Sequence, residues 1–157
     1  MGSQKRETTY PDEQETAFWV ALNLAQRSTY RAMEVELKSN GLPPLRWYDV
    51  LWGLERVGEC GLRAFEIERR LLFEQSNLSR LLRNMIDEGL VDEAVYEGDR
   101  RGKILRITPQ GLQVRKKMWN VYGPLLKAHM TKVSQTGDIQ SLTEKLNLLC
   151  PEGVFEK

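Results

Sequence analysis

The sequence contains little of what catalytic and metal sites require. Its 157 residues include one histidine, His129, and two cysteines, Cys60 and Cys150, which lie far apart. No spacing suited to zinc, no phosphate-binding loop and no Ser-His-Asp, Cys-His or paired-carboxylate arrangement is found. We therefore predict no catalytic residues, no metal and no other cofactor. Both cysteines are interpreted as free thiols that are buried or half-buried, and a redox role stays open because sequence does not show thiol exposure or pKa.

Long hydrophobic runs are also missing. The longest apolar stretch, FWVALNLA, is well below the ~18 residues of a membrane span, and Gln26 and Arg27 follow it closely. The N-terminal segment MGSQKRETTYPDEQ is polar and lacks the apolar centre of a secretory signal. The sequence therefore predicts a cytoplasmic protein without a membrane partner.

The net charge is only +1, but the charges are segregated. Between Gly98 and Lys117 seven basic residues accompany a single acidic residue, Asp99. Such segregation is a candidate electrostatic footprint for nucleic acid. The run Arg115–Lys117 within it is interpreted as a solvated helix face, with distant attraction of phosphates as the alternative.

A long N-terminal helix is predicted from Glu13 to about Ser39. Asp12 is a suitable N-cap with Glu15 as its capping-box partner, and the segment NGLPP ends the helix. Its first half, which includes Phe18 and Trp19, is apolar on more than one face. Because one small domain cannot cover such a helix, we expect burial between two chains.

The middle of the chain shows three shorter helices and a hairpin. Helices are predicted at Leu45–Val57, at Arg63–Leu71 with Phe65 and Ile67 inward, and at Gln75–Glu88, which Gly89 closes. Strand-like segments LVDEAVY and KILRI flank a loop from Glu97 to Gly102.

Two more helices are predicted beyond the hairpin. Thr108 caps the first, Pro109 occupies its first turn, and Gly123-Pro124 should kink it. One side of it is predicted to carry Leu112, Arg115, Trp119, Tyr122, Leu126, His129 and Val133. Asp138 caps the last helix, whose apolar residues are Ile139, Leu142, Leu146 and Leu149.

This order predicts a mainly α fold with a small β-hairpin wing: a winged helix-turn-helix domain with helical dimerisation arms. A helix fits the major groove of DNA, where base edges are read by hydrogen bonds. The helix at Gln75–Glu88 offers donors and acceptors beside an apolar anchoring stripe. The predicted DNA-facing residues are Gln75, Ser76, Asn77, Ser79, Arg80 and Arg83.

The hairpin tip suits the neighbouring minor groove. A narrow minor groove concentrates negative potential, which attracts arginine. Arg100, Arg101 and Lys103 are predicted to contact phosphates or that groove, and Asp99 is predicted to brace an arginine.

The segments QSNLSRLLRNMIDEGLV and DRRGKILRITPQG resemble the MarR family of bacterial transcriptional regulators. That family's hairpin carries Asp-x-Arg, then a strand, then Leu/Ile-Thr-x-x-Gly opening a helix. The matching positions are Asp99, Arg101, Ile107, Thr108 and Gly111.

The resemblance implies a homodimer in which the first helix and the last two form the interface. It also implies that Arg101 enters the minor groove with Asp99 as its partner. Two winged domains would bind successive major grooves of a pseudo-palindromic operator, with half-site centres about 34–36 Å apart. The implied divisions are a disordered tail (1–11), a dimerisation helix (12–44), the winged domain (45–108), C-terminal interface helices (109–150) and a tail (151–157).

Aromatic residues on the first two helices allow two interpretations. Relatives of this kind often hold a small aromatic or lipophilic effector between the arms and the winged domain. A pocket lined by Trp47, Tyr48 and Trp52 is one interpretation, and ordinary core and dimer packing is the other. The predicted function is a sequence-specific DNA-binding regulator, a dimeric repressor released by such an effector. The alternative is a winged-helix module that binds protein without contacting DNA.

Overall fold

The computed structural model describes residues 9–71, 75–96 and 99–151, with the side chains of all of these except 75, 76, 96 and 99–101. The elements of these ranges, in chain order, confirm a mainly helical fold with one hairpin. They are α1 (Glu13–Ser39), α2 (Leu45–Val57), a 3₁₀ turn (Gly58–Cys60), α3 (Ala64–Leu71), α4 (Gln75–Asp87), β1 (Val91–Tyr96), β2 (Asp99–Ile107), α5 (Pro109–Ser134) and α6 (Ile139–Asn147). The predicted loop tip, Glu97-Gly98, and both extreme termini lie outside the described residues.

The start of α1 has the predicted capping box. The Asp12 carboxylate accepts a hydrogen bond from the Glu15 amide, and the Glu15 carboxylate accepts one from the Asp12 amide, each at 2.8 Å. The start of α2 is capped differently, because its N-cap residue, Pro44, makes no side-chain cap. Instead Glu34 of α1 accepts a hydrogen bond from the Leu45 amide at 2.6 Å. Helix α1 thereby fixes the N-terminus of α2.

The end of α4 confirms the predicted role of Gly89. Its φ of 71° is left-handed, a conformation that glycine adopts without steric cost. The Gly89 amide donates to the Ile86 carbonyl and the Leu90 amide to the Met85 carbonyl, each at 2.9 Å, which is a Schellman motif. The chain then enters the core at Leu90 and Val91, both buried.

The hairpin is held on its second side by a segment that sequence patterns did not reveal. Strands β1 and β2 are antiparallel, and Leu62 forms an isolated bridge to Leu105 of β2. The two residues exchange backbone hydrogen bonds of 3.0 and 2.8 Å. Strand β2 is therefore central, between β1 and Leu62, and this stiffens the base of the wing.

One buried cluster joins the hairpin to α2, α3 and α4. Its fully buried members include Leu51, Leu54, Ile67, Leu78 and Met85. The prediction that Phe65 points inward is wrong, because its side chain is 58% exposed. Residues two apart on a helix lie on nearly opposite sides, so α3 cannot bury both Phe65 and Ile67 against one core.

A second cluster joins α1, α2 and α5. Its buried members are Met33, Leu37, Leu45, Tyr48 and Met118. Met118 is fully buried, whereas Trp119 is 42% exposed. Helix α5 continues through Pro124 as a single element. No helix within the described residues is long and apolar enough to cross a membrane.

Candidate DNA-binding surface

Helix α4 has one anchored face and one displayed face. Leu78, Leu82 and Met85 are buried in the first cluster. Ser79 and Arg83 are exposed on the other side. Arg80 is also exposed, and it shares a shallow groove with Asn77, Arg46 and Trp47. The side chains of Gln75 and Ser76 lie outside the described residues, so their predicted roles stay predictions.

The second strand of the wing is longer than the sequence predicted. Strand β2 begins at Asp99, so the predicted loop from Glu97 to Gly102 is wrong over its last four residues. The register is regular from Val91↔Ile107 to Val95↔Lys103 and then shifts so that Tyr96 pairs with Asp99. Asp99, Arg100 and Arg101 are thus on the strand at the far end of the wing. Their side chains lie outside the described residues, and their DNA contacts stay predictions.

Two contacts fix the base of the wing to the 3₁₀ turn. Arg106 Nε donates to the Glu59 carbonyl oxygen at 2.6 Å. Gly61, with φ of 64°, lies so close to Ile104 and Leu105 that a Cβ there would overlap both. Arg106 belongs to the basic segment by sequence, but here it braces the hairpin.

A groove of about 370 Å³ separates the displayed face of α4 from the wing. Ser79 and Arg83 line the α4 side, and Glu93 and Lys103 line the wing side. Lys103 Nζ lies 2.5 Å from Glu93 Oε1. The structure therefore brings three of the predicted DNA-facing residues, Ser79, Arg83 and Lys103, to one groove.

Helices α2 and α5 are joined by an ion pair at the border of the winged domain. Arg115 Nε lies 2.6 Å from one carboxylate oxygen of Glu55, and Arg115 Nη2 donates to the other at 2.8 Å. The Arg115 side chain is 14% exposed. The interpretation of Arg115–Lys117 as a solvated face is therefore wrong for Arg115, whereas Lys116 and Lys117 are exposed.

The three aromatic residues predicted to line one pocket lie in different surroundings. Tyr48 is buried and packs against Trp119 and Tyr122, with ring centroids 6.0 and 4.9 Å away. Trp47 packs on the first cluster. Trp52 is 38% exposed and carries the Arg56 guanidinium 4.8 Å from its ring centroid.

A largely buried carboxylate lies at the junction of α1, α2 and α5. Burial raises the pKa of Asp49 to about 6, with Arg46 opposing the shift and Glu34 adding to it. Burial, together with Tyr48 and Asp49, raises the pKa of Tyr122 to about 12. Sequence reasoning missed this group, because an Asp within an amphipathic helix normally indicates its solvent face.

Neither the cysteines nor the acidic residues form a metal site in the part of the chain that the structure describes. Both cysteines are free, and Cys150 is half-buried as predicted, but the prediction is wrong for Cys60, which is exposed. No group of three or more His, Cys, Asp or Glu residues there is arranged to hold an ion.

Known proteins share this architecture. A family model described as the MarR family matches residues 40–102. The HTH-type transcriptional repressor IacR of Pseudomonas putida is 31% identical over 117 residues, which cover 74% of this chain and 68% of IacR.

Two solved structures show the same fold. Sco3205, a MarR family transcriptional regulator from Streptomyces coelicolor in complex with DNA, superposes with a TM-score of 0.79 at 18% identity, over 92% of this chain and 90% of Sco3205. The organohalide-sensing regulator RdhR in its 2,4-dichlorophenol-bound form gives 0.69 at 20% identity, over 94% of this chain and 90% of RdhR. Together with the winged helix-turn-helix described above, these similarities show that the chain belongs to the MarR family of transcriptional regulators.

Proposed function

We propose that the protein is a sequence-specific DNA-binding regulator that acts in the cytoplasm as a homodimeric repressor. One observation carries this proposal: Ser79 and Arg83 on the displayed face of α4 and Lys103 of the wing line the same groove. A helix whose side chains read base edges suits the major groove. A cationic hairpin beside it suits the neighbouring minor groove. The relative IacR, itself a repressor, supports the direction of regulation.

Apolar surface on the arms supports the homodimer. In the single chain Phe18, Trp19 and Leu24 of α1 are 51–63% exposed. Leu142 and Leu146 of α6 are 41% and 37% exposed. A second copy would bury these faces, with residues 12–44 and 109–150 as the interface and 45–108 as the DNA-binding domain. Sedimentation velocity should give twice the mass of the chain, and a monomer at micromolar concentration would contradict the proposal.

An open groove between α1 and α5, beside the start of α2, supports a small effector. It has a volume of about 240 Å³, suited to a single-ring molecule, and its lining residues include Tyr30, Met33, Leu45, Tyr122 and Met130. An effector there could act by favouring one spacing of the two winged domains over another. RdhR was solved with 2,4-dichlorophenol bound. A thermal-shift screen of aromatic acids and phenols should raise Tm with at least one compound, and no shift across the set would count against this effector class.

Replacing Arg101 by alanine should weaken binding to DNA upstream of the protein's own gene by about 1–3 kcal/mol. The reason is the loss of a guanidinium at the far end of the wing, where the minor groove would lie. Fluorescence anisotropy titrations of wild type and variant would measure the change. Lys116→Ala is the control, because it removes the same charge from the exposed face of α5. Equal affinities for wild type and Arg101→Ala would refute the wing assignment.

A winged-helix module that binds protein is the second candidate function. It predicts no shift of any duplex in a gel, including the protein's own upstream region. Salt-dependent binding of that fragment would exclude it, since released counterions accompany phosphate contacts.

A further inference from the structure

We propose that Glu93 is an internal competitor for Lys103, holding in the free protein the cation that a DNA phosphate takes in the complex. This inference rests on the proposed DNA-binding function and adds a residue that lowers affinity. By charge alone Glu93 is one of many surface acids, and its place in the fold gives it this role.

The strand register places the two side chains on one face of the wing. Glu93 pairs with Leu105 and Val95 pairs with Lys103, so Glu93 and Lys103 are diagonal neighbours. Their 2.5 Å contact is accessible to solvent, with side chains 33% and 65% exposed respectively. An ion pair this open is weak and can exchange partners readily.

The position of this pair determines which part of the DNA it would contact. A helix in the major groove and a wing in the next minor groove straddle the sugar–phosphate backbone that separates the two grooves. The groove between α4 and the wing is where that backbone would pass. Arg83, Ser79 and Lys103 offer it two cations and a hydroxyl, whereas Glu93 offers it a negative charge.

Binding of DNA would therefore require Lys103 to leave Glu93, whose carboxylate would then face the phosphate backbone. Because phosphates occur in every sequence, the penalty applies equally to operator and to random DNA. Glu93 would thus lower the affinity of the protein for all DNA and leave its sequence preference unchanged.

The test is Glu93→Gln in the full chain, titrated by fluorescence anisotropy with a mixed-sequence duplex and with DNA from upstream of its own gene. We expect about two- to fivefold tighter binding to both, the range of an exposed ion pair. The dependence of log K on log salt should steepen by up to about one, because in the wild-type complex the freed Glu93 carboxylate attracts a cation that offsets one released from the DNA.

Asp92→Asn is the matched control, because Asp92 is exposed on the opposite face of β1 and loses the same charge. The gain from Glu93→Gln should exceed that from Asp92→Asn and should be smaller in a Lys103→Met background, where only the repulsion between Glu93 and the phosphates remains. Equal gains in the two variants, or a gain that is undiminished without Lys103, would overturn the inference while leaving the proposed function standing. Absence of salt-dependent binding by the wild type would overturn both.

Discussion

Replacing Gly111 by alanine should lower the free energy of unfolding by about 3 kcal/mol or more, at the upper end for overpacking a core. A Cβ at this position would overlap the Leu90 carbonyl oxygen and lie 2.9 Å from Ile107 Cγ1. Backbone and strand atoms cannot withdraw as a flexible side chain can, so the first turn of α5 must move away from the hairpin.

The surroundings of Gly111 explain why this displacement is costly. The Gly111 amide donates to Thr108 Oγ1 at 2.9 Å, and that hydroxyl donates to the Gly89 carbonyl at 2.7 Å. The Thr108 amide donates to the Leu90 carbonyl at 3.1 Å. The Thr-Pro-x-Gly step therefore joins α5 to the end of α4, and moving it strains these hydrogen bonds together.

Chemical denaturation at neutral pH would measure the effect, with Gly53→Ala as the control. Gly53 is also helical, but a Cβ there meets nothing within 4 Å. Alanine should stabilise that position by about 0.5–1 kcal/mol, because it restricts the unfolded chain and favours the helix. A loss below about 1 kcal/mol for Gly111→Ala would show that α5 does not need this close approach.

Replacing Asp49 by asparagine should raise the free energy of unfolding above about pH 6.5 by up to about 3 kcal/mol. Burial raises the pKa of Asp49 to about 6 in the folded protein, whereas an unfolded aspartate titrates near 3.9. The folded state therefore binds the proton more tightly, and unfolding releases it between about pH 4 and 6. The stability that Asp49 contributes in its protonated form is present below about pH 4 and is lost as pH rises through about 6.

Asparagine keeps the shape of the side chain without the buried charge, so its advantage should grow from pH 4.5 to pH 7.5. Arg46 opposes the shift, and the pKa of about 6 already includes its attraction for the charged carboxylate. Urea titrations across this range, with exposed Asp92→Asn as the control, would measure the difference. A pH-independent difference between Asp49→Asn and wild type would show that Asp49 is not the titrating group.

Local patterns in the sequence predicted most elements and several of their ends. The capping box at Asp12, the Schellman glycine at Gly89, the buried stripe of α4 and the Thr108 cap of α5 each depend on residues a few positions apart. Such features follow from backbone geometry alone. The motif from Asp99 to Gly111 likewise indicated the family, which the comparisons confirm.

By itself, then, the sequence determined the order of helices and hairpin, the anchored face of α4 and the family. Tertiary structure decided the contacts between elements distant in the chain. Among them are the Leu62 bridge that makes β2 central and the Arg115–Glu55 pair. The Glu34 cap of α2 and the Glu93–Lys103 contact in the groove belong with them. Helical and strand periodicities specify which face is apolar, but they carry no information about which polar side chains meet once those faces pack.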